Sequence, residues 1–200
     1  MILLNSNAQH IFWLGRYLTR IQYLCSQFPF HNNQDALEYA HAFCLPAFDA
    51  SSLNTLLLDT EQPSSFGQQF QHAKDNVQDL RGIFSAKAYA ELNQLIKNAT
   101  ENVTYICDVA GECQDILEAE SEDIFLFFTL GKNIEQLDRQ LRLKQDRTIT
   151  LESIDKTVDL LSQIGWNGVD SAWQQLKLNP DSMNFYHFSD YVQHLFEVDA

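Results

Sequence analysis

The sequence predicts an all-α fold, a helical bundle built from an internal duplication. Apolar residues recur at intervals of three and four along most of the chain, and no stretch alternates as a strand does. Only four prolines and seven glycines occur among the 200 residues, which is few for a strand-rich or loop-rich protein. One phrase also occurs twice, as FWLGRYLTRIQ at 12–22 and as FTLGKNIEQLD at 128–138.

Two long helices centred on this phrase follow from its spacing. The first begins near Ser6, which with Gln9 has the spacing of a capping box, and it ends before Pro29. Its apolar face repeats 116 positions later in the second helix. The matched pairs are Ile11 and Phe127, Leu14 and Leu130, Leu18 and Ile134, Ile21 and Leu137, and Cys25 and Leu141. We call these two helices the LG helices and expect them to pack side by side.

Each LG helix contains an interior glycine, Gly15 or Gly131. A glycine inside a helix is less favourable than alanine by about 1 kcal/mol, so some other interaction should offset it. Close approach of the two helices is one explanation, and space for a ligand is the alternative.

A second repeated signal marks the start of further helices. PSSF at 63–66 and PDSM at 180–183 each place a proline and a serine before an apolar run, with the serine as the expected cap. Apolar residues follow at matching positions, among them Phe70 and Ala73 after the first signal, and Phe188, Tyr191, Leu195 and Val198 after the second. Other predicted helices cover 34–45, the segment after Ser85, 150–164 with Gly165 as its stop, and the segment before Pro180.

We therefore expect a single all-helical domain over residues 1–200. Its first repeat spans about 6–110, a connector about 111–121, and a shorter second repeat about 122–200. The second repeat ends before any counterpart of the helix after Ser85. A missing last helix would leave an apolar face, which a homodimer would cover.

Composition excludes several classes of function. The formal charge of −14 argues against nucleic-acid binding, which needs clustered lysine and arginine. No run of eighteen apolar residues occurs, and the opening MILLNSN lacks a basic signal-peptide region, so we expect a cytoplasmic protein with no membrane span. In that compartment the four cysteines, Cys25, Cys44, Cys107 and Cys113, are expected to be free thiols in or near the core.

The quoted segments resemble the bacterial alpha-E family. NAQHIFWLGRYLTRIQYL is similar to the family's opening helix, FFTLGKNIEQLDRQLRL to its third block, and residues 63–95, which begin with PSSF, to its middle block, where Asn76 falls at a matching position. Family members are found beside ATP-grasp peptide ligases and transglutaminase-like proteins. The resemblance therefore implies a supporting role in making, modifying or cleaving peptide-like bonds.

The chain departs from the family pattern at paired positions. Thr19 stands where the first block has Glu, and Gln22 stands near a second expected acid. The third block keeps acids at Glu135 and Asp138, but Gln136 replaces an expected Arg.

These residues define a candidate groove between the LG helices, the LG groove, for a ligand or a partner. Its members are Arg16, Arg20, Asn76, Glu135, Asp138 and Arg142. Glu135, Asp138 and Arg142 form a stripe that could coordinate a cation or hold an amine, or else a solvated helix flank with an Asp138–Arg142 pair. Arg16 and Arg20 could clamp an anion, or else pair with acids of a neighbouring helix.

Metal chemistry has little support in the sequence. A di-iron bundle needs two Glu-x-x-His motifs, and only Glu38 to His41 has that spacing. His187, Asp190 and His194 share a helix face but lack further ligands. No cofactor is expected, and no catalytic residue can be assigned. The acidic segment 111–123 is predicted as a short solvated helix and connector, or as a docking surface for a basic partner.

Three hypotheses remain. The first is an accessory helical protein that acts with an ATP-grasp ligase or a transglutaminase-like enzyme. The second is a carboxylate-dependent enzyme or metal-binding protein that uses the LG groove. The third is a degenerate dimerising structural module, which the neutral Thr19 and Gln22 favour.

Overall fold

The computed structural model describes residues 3–99 and 102–197 and is all-α over them, which confirms the predicted fold class. Val198, assigned above to the last apolar face, lies outside the described residues. The helices are α1 Asn5–Gln27, α2 Asn33–Ala42, α3 Ala50–Leu58, α4 Phe66–Asp79, α5 Ala86–Ala99, α6 Val103–Glu118, α7 Glu122–Arg142, α8 Thr148–Gln163, a 3₁₀ helix Asn167–Val169, α9 Asp170–Leu178 and α10 Ser182–Glu197. In the part of the chain that the structure describes, no helix is long and apolar enough to cross a membrane.

The chain forms two compact units. The discontinuous unit takes residues up to Arg16 and from Glu118 onward, and the continuous unit takes Tyr17–Leu117. These limits differ from those of the expected repeats, because α1 contributes its first half to one unit and its second half to the other. The internal duplication stays a prediction.

The discontinuous unit is built around α7. Helix α8 packs beside α7, and the Asn133 side-chain amide donates to the Ser153 hydroxyl over 2.8 Å. Helix α10 packs on both α7 and α9. Its Phe196 joins an aromatic cluster with Phe12 and Phe127, with ring centroids 5.3 and 6.2 Å away. With helices on several sides, α7 is buried around most of its circumference.

The continuous unit packs α2–α6 with the second half of α1. Leu18, Ile21, Leu53 and Phe66 are almost wholly buried in its core. The disulfide Cys25–Cys107 joins α1 to α6 within this unit.

Helix caps confirm part of the sequence interpretation. The Ser65 hydroxyl accepts from the Gln68 amide at the start of α4, and the Ser85 hydroxyl accepts from the Ala88 amide at the start of α5. At the start of α10 the cap is the carboxylate of Asp181, which accepts from the Asn184 amide, and not the predicted serine. Helix α1 begins at Asn5, so Ser6 lies in its first turn.

Two helices differ from the prediction. Helix α3 was missed, although Asp49 and Ser52 form a capping box ahead of its buried leucines. Residues 111–118 of the expected connector are the second half of α6, and Cys113 and Leu117 bury one face of it. The sequence analysis predicted a solvated segment because acidic residues occupy the other faces of this half of α6.

The cysteine prediction was wrong for Cys25 and Cys107, and for Cys44 it was right about the free thiol but wrong about its location. Cys25 and Cys107 are bonded to each other, and Cys44 is an exposed free thiol. Only Cys113 is a buried free thiol as expected. The Cys25–Cys107 pair could not be predicted, because its cysteines are 82 residues apart and no local sequence pattern indicates that α1 and α6 are neighbours.

We expect the native purified protein to react with iodoacetamide at Cys44 alone. Thiolates are the reactive form, and burial raises the pKa of Cys113 to about 12, with the nearby Glu112 carboxylate adding to the effect. Mass spectrometry should find one adduct in the native state, two in denaturant, and four in denaturant after reduction. Two native adducts would contradict the burial of Cys113, and four adducts without reduction would contradict the disulfide.

Candidate functional site

The LG helices cross at their glycines within the discontinuous unit. A methyl group added to Gly131 would collide with the Phe12 carbonyl oxygen and lie 2.8 Å from the carbonyl carbon. A methyl group added to Gly15 would collide with the Phe128 carbonyl oxygen. Phe12 and Phe128 are themselves 116 positions apart, so the contact is reciprocal. The predicted side-by-side packing is confirmed, and close approach accounts for both glycines.

Beside this crossing, Arg16 of α1 forms an ion pair with Glu135 of α7. The distance from Arg16 Nε to Glu135 Oε2 is 2.9 Å, and the two side chains are 9% and 5% exposed. The Arg16 guanidinium also lies over the Trp13 ring, 4.9 Å from its centroid. For Arg16 the predicted pairing with an acid of a neighbouring helix is confirmed. The solvated-flank interpretation of Glu135 was wrong.

Asp138 and Arg142 form the second pair, one turn further along α7. Arg142 Nε donates to Asp138 Oδ1 over 2.8 Å, which is the i,i+4 pair that the spacing predicted. Arg142 Nη2 also donates to the Tyr186 hydroxyl of α10 over 2.6 Å. Tyr186 was missed by the sequence analysis, because nothing in the spacing places α10 beside the end of α7.

Arg20 and Asn76, the other predicted groove residues, belong to the continuous unit. Arg20 Nη1 donates to Gln69 Oε1 over 3.0 Å, and the Gln69 amide in turn donates to the Pro63 carbonyl. Asn76 donates to the His72 carbonyl one turn earlier in α4.

Thr19 also lies in the continuous unit, at the position matched to Glu135. Its side chain is buried, and its hydroxyl has no hydrogen-bond partner among residues 3–99 and 102–197. The place of the expected acid is therefore occupied by a buried, unsatisfied hydroxyl.

The weaker metal candidates are exposed and scattered. His194 Nδ1 lies 2.8 Å from the Asp190 carbonyl, and this contact together with the Asp190 carboxylate raises the pKa of His194. His187 packs edge-on against Tyr191, and Glu38 accepts from Gln34. Within the described ranges, no three His, Cys, Asp or Glu residues group as metal ligands.

Chemically, Glu135 and Asp138 are held by arginines of the same chain. A general acid or base needs a carboxyl that reaches substrate, whereas a buried carboxylate in an ion pair fixes the position of two helices. The arrangement that the structure describes is suited to holding the LG helices together.

A family model described as "a predicted alpha-helical domain with a conserved ER motif" matches residues 3–176. The chain belongs to the Alpha-E family. The Alpha-E match covers both LG helices and ends before α10. Comparison with curated proteins and with solved structures finds no match.

No Glu-Arg dipeptide occurs in the sequence. At the positions where the resemblance described above places Glu-Arg, the first LG helix has Thr19-Arg20 and the second has Glu135-Gln136. Glu135 is the acid that pairs with Arg16.

Proposed function

We propose that this Alpha-E protein is an accessory helical protein that binds a partner enzyme. The partner would be an ATP-grasp peptide ligase or a transglutaminase-like protein, in peptide synthesis or modification. The observation that carries the proposal is the burial of Glu135 in an ion pair with Arg16, because an acid used in this way supports a scaffold better than a catalyst.

We propose the cytoplasm as its location. Cytoplasmic reductants keep most thiols reduced, so the Cys25–Cys107 bond would be transient there. Alkylation of acid-quenched cells, followed by mass spectrometry, decides the point. A fully oxidised pair would favour an oxidising compartment instead.

A dimerising structural module is the second candidate. The buried Thr19 hydroxyl supports it, since a site that has lost its acid leaves such an unsatisfied group behind. In that case the chain associates with itself and binds no enzyme.

Affinity purification of the tagged full-length chain from its native cell separates the two candidates. We expect an ATP-grasp or transglutaminase-like protein in near-stoichiometric amount, identified by mass spectrometry. The tag alone serves as the control. Recovery of the chain with itself and nothing else would contradict the accessory function and favour the dimerising module.

A further inference from the structure

A groove of about 370 Å³ lies between the start of α7 and the end of α8, inside the discontinuous unit. We call it the α7–α8 groove. Leu126 of α7 is one of its walls and is itself buried. The other lining residues are Glu122, Asp123, Phe125, Leu160, Gln163 and Ile164.

Large apolar side chains line this groove and remain accessible to solvent. Phe125, Leu160 and Ile164 are 42%, 48% and 49% exposed. Leu160 lies in the last turn of α8, and Ile164, four residues later, is the residue directly after that helix. Exposed apolar surface gathered from two helices in a concave site, and bordered by polar groups, is typical of an interaction surface.

The charge on the border selects the kind of partner. Glu122 and Asp123, both in the first turn of α7, line the groove, and among the described residues that line it there is no lysine or arginine. The whole chain carries a formal charge of −14. A cationic partner is therefore attracted and an anionic partner repelled.

A second copy of the chain fits the groove poorly. A twofold contact presents the same surface on both sides, so the acidic border of one groove, Glu122 and Asp123, would be brought into an interface with the acidic border of the other. Like charges brought together in an interface are unfavourable.

We propose that the α7–α8 groove binds a cationic amphipathic α-helix of another protein. Apolar side chains one turn apart on that helix would contact Phe125, Leu160 and Ile164. Lysine or arginine beside them would face Glu122. This inference rests on the proposed accessory function, and it identifies the binding surface and the chemistry of the partner.

A labelled model peptide tests the groove directly. The probe is a helix of about 18 residues with leucine on one face and lysine elsewhere. The control peptide has the same leucines, with glutamate in place of every lysine. By fluorescence anisotropy with the purified full chain at about 0.15 M salt, we expect the lysine peptide to bind with a Kd near micromolar and the glutamate peptide at least about tenfold more weakly.

Matched variants assign the binding to the groove. We expect Leu160→Ser with Ile164→Ser to weaken the lysine peptide at least about tenfold. Leu178→Ser is the control, because Leu178 is exposed in the same unit but does not line the groove, and it should bind as the wild type does. Glu122→Gln should weaken binding a few-fold and reduce its dependence on salt.

Three results would overturn the inference. The first is that the two peptides bind equally well. The second is that the Leu160→Ser/Ile164→Ser variant binds the lysine peptide as tightly as the wild type does. The third is that the wild-type chain sediments as a dimer and this variant as a monomer. The last would identify a second copy as the occupant.

The same double variant, used in the affinity purification, keeps the two proposals distinguishable. A partner enzyme that it still recovers would overturn the groove and leave the accessory function standing. If the peptide binds in the groove but the wild-type chain recovers no enzyme, the accessory function would be contradicted and the groove would stand.

Discussion

Replacing Gly131 with alanine is expected to destabilise the protein by at least about 2 kcal/mol. The new methyl group would collide with the Phe12 carbonyl oxygen and lie 3.2 Å from the Phe12 Cα. All of these atoms belong to backbone, so no side-chain rotation relieves the contact and the LG helices must move apart. The higher helix propensity of alanine stabilises the variant by only about 1 kcal/mol, which is less than the expected destabilisation from the collision.

We expect the melting temperature, measured by circular dichroism, to fall by roughly 4 °C or more. Gly111→Ala is the matched control. Gly111 also lies inside a helix, α6, but a methyl group there meets nothing within 4 Å. That variant should gain up to about 1 kcal/mol from propensity alone.

Gly15→Ala should act in the same direction, because its methyl group would meet the Phe128 carbonyl oxygen and lie 3.1 Å from the Lys132 amide nitrogen. The two alanines together should destabilise by less than the sum of their separate effects, since both force the same separation. If Gly131→Ala instead gained stability as Gly111→Ala does, the close approach of the LG helices would be refuted.

The long helices were predictable because each keeps one apolar face over many turns. Helix α3 was not, because its apolar residues include three consecutive leucines at 56–58, which do not show a helical period, and because it follows the break at Pro46. Its capping box at Asp49 and Ser52 was the available signal.

The candidate site was only partly predictable. The Asp138–Arg142 pair is local and follows from spacing. The Arg16–Glu135 pair joins residues 119 positions apart. The expected packing of the LG helices placed both residues in one groove, but it did not identify which acid pairs with Arg16. Glu135 reads as a polar flank because a helix is assumed to have a solvated side. Helix α7 has little such side, since other helices pack around it and even Asn133 and Gln140 are buried.

Breaking the Arg16–Glu135 pair is the other change with a large expected effect. Glu135→Leu leaves the Arg16 guanidinium buried without its carboxylate, and removing one member of a buried pair is unfavourable by about 3–5 kcal/mol. The double variant Arg16→Met/Glu135→Leu replaces both charges with apolar groups of similar size. This double variant should recover most of the lost free energy of unfolding. It should not recover the part that came from the contact between the guanidinium and the Trp13 ring.

A double-mutant cycle in urea measures this coupling, and a second cycle on Asp138 and Arg142 supplies the comparison. Those two side chains are more exposed, at 12% and 26%, so their coupling should be at most about 1 kcal/mol. A large coupling for Arg16 and Glu135 beside a small one for Asp138 and Arg142 would assign Glu135 to holding the LG helices together. If Glu135→Leu were instead harmless to stability, the carboxylate would be available for chemistry, and the hypothesis of a carboxylate-dependent enzyme would replace the accessory function proposed for this chain.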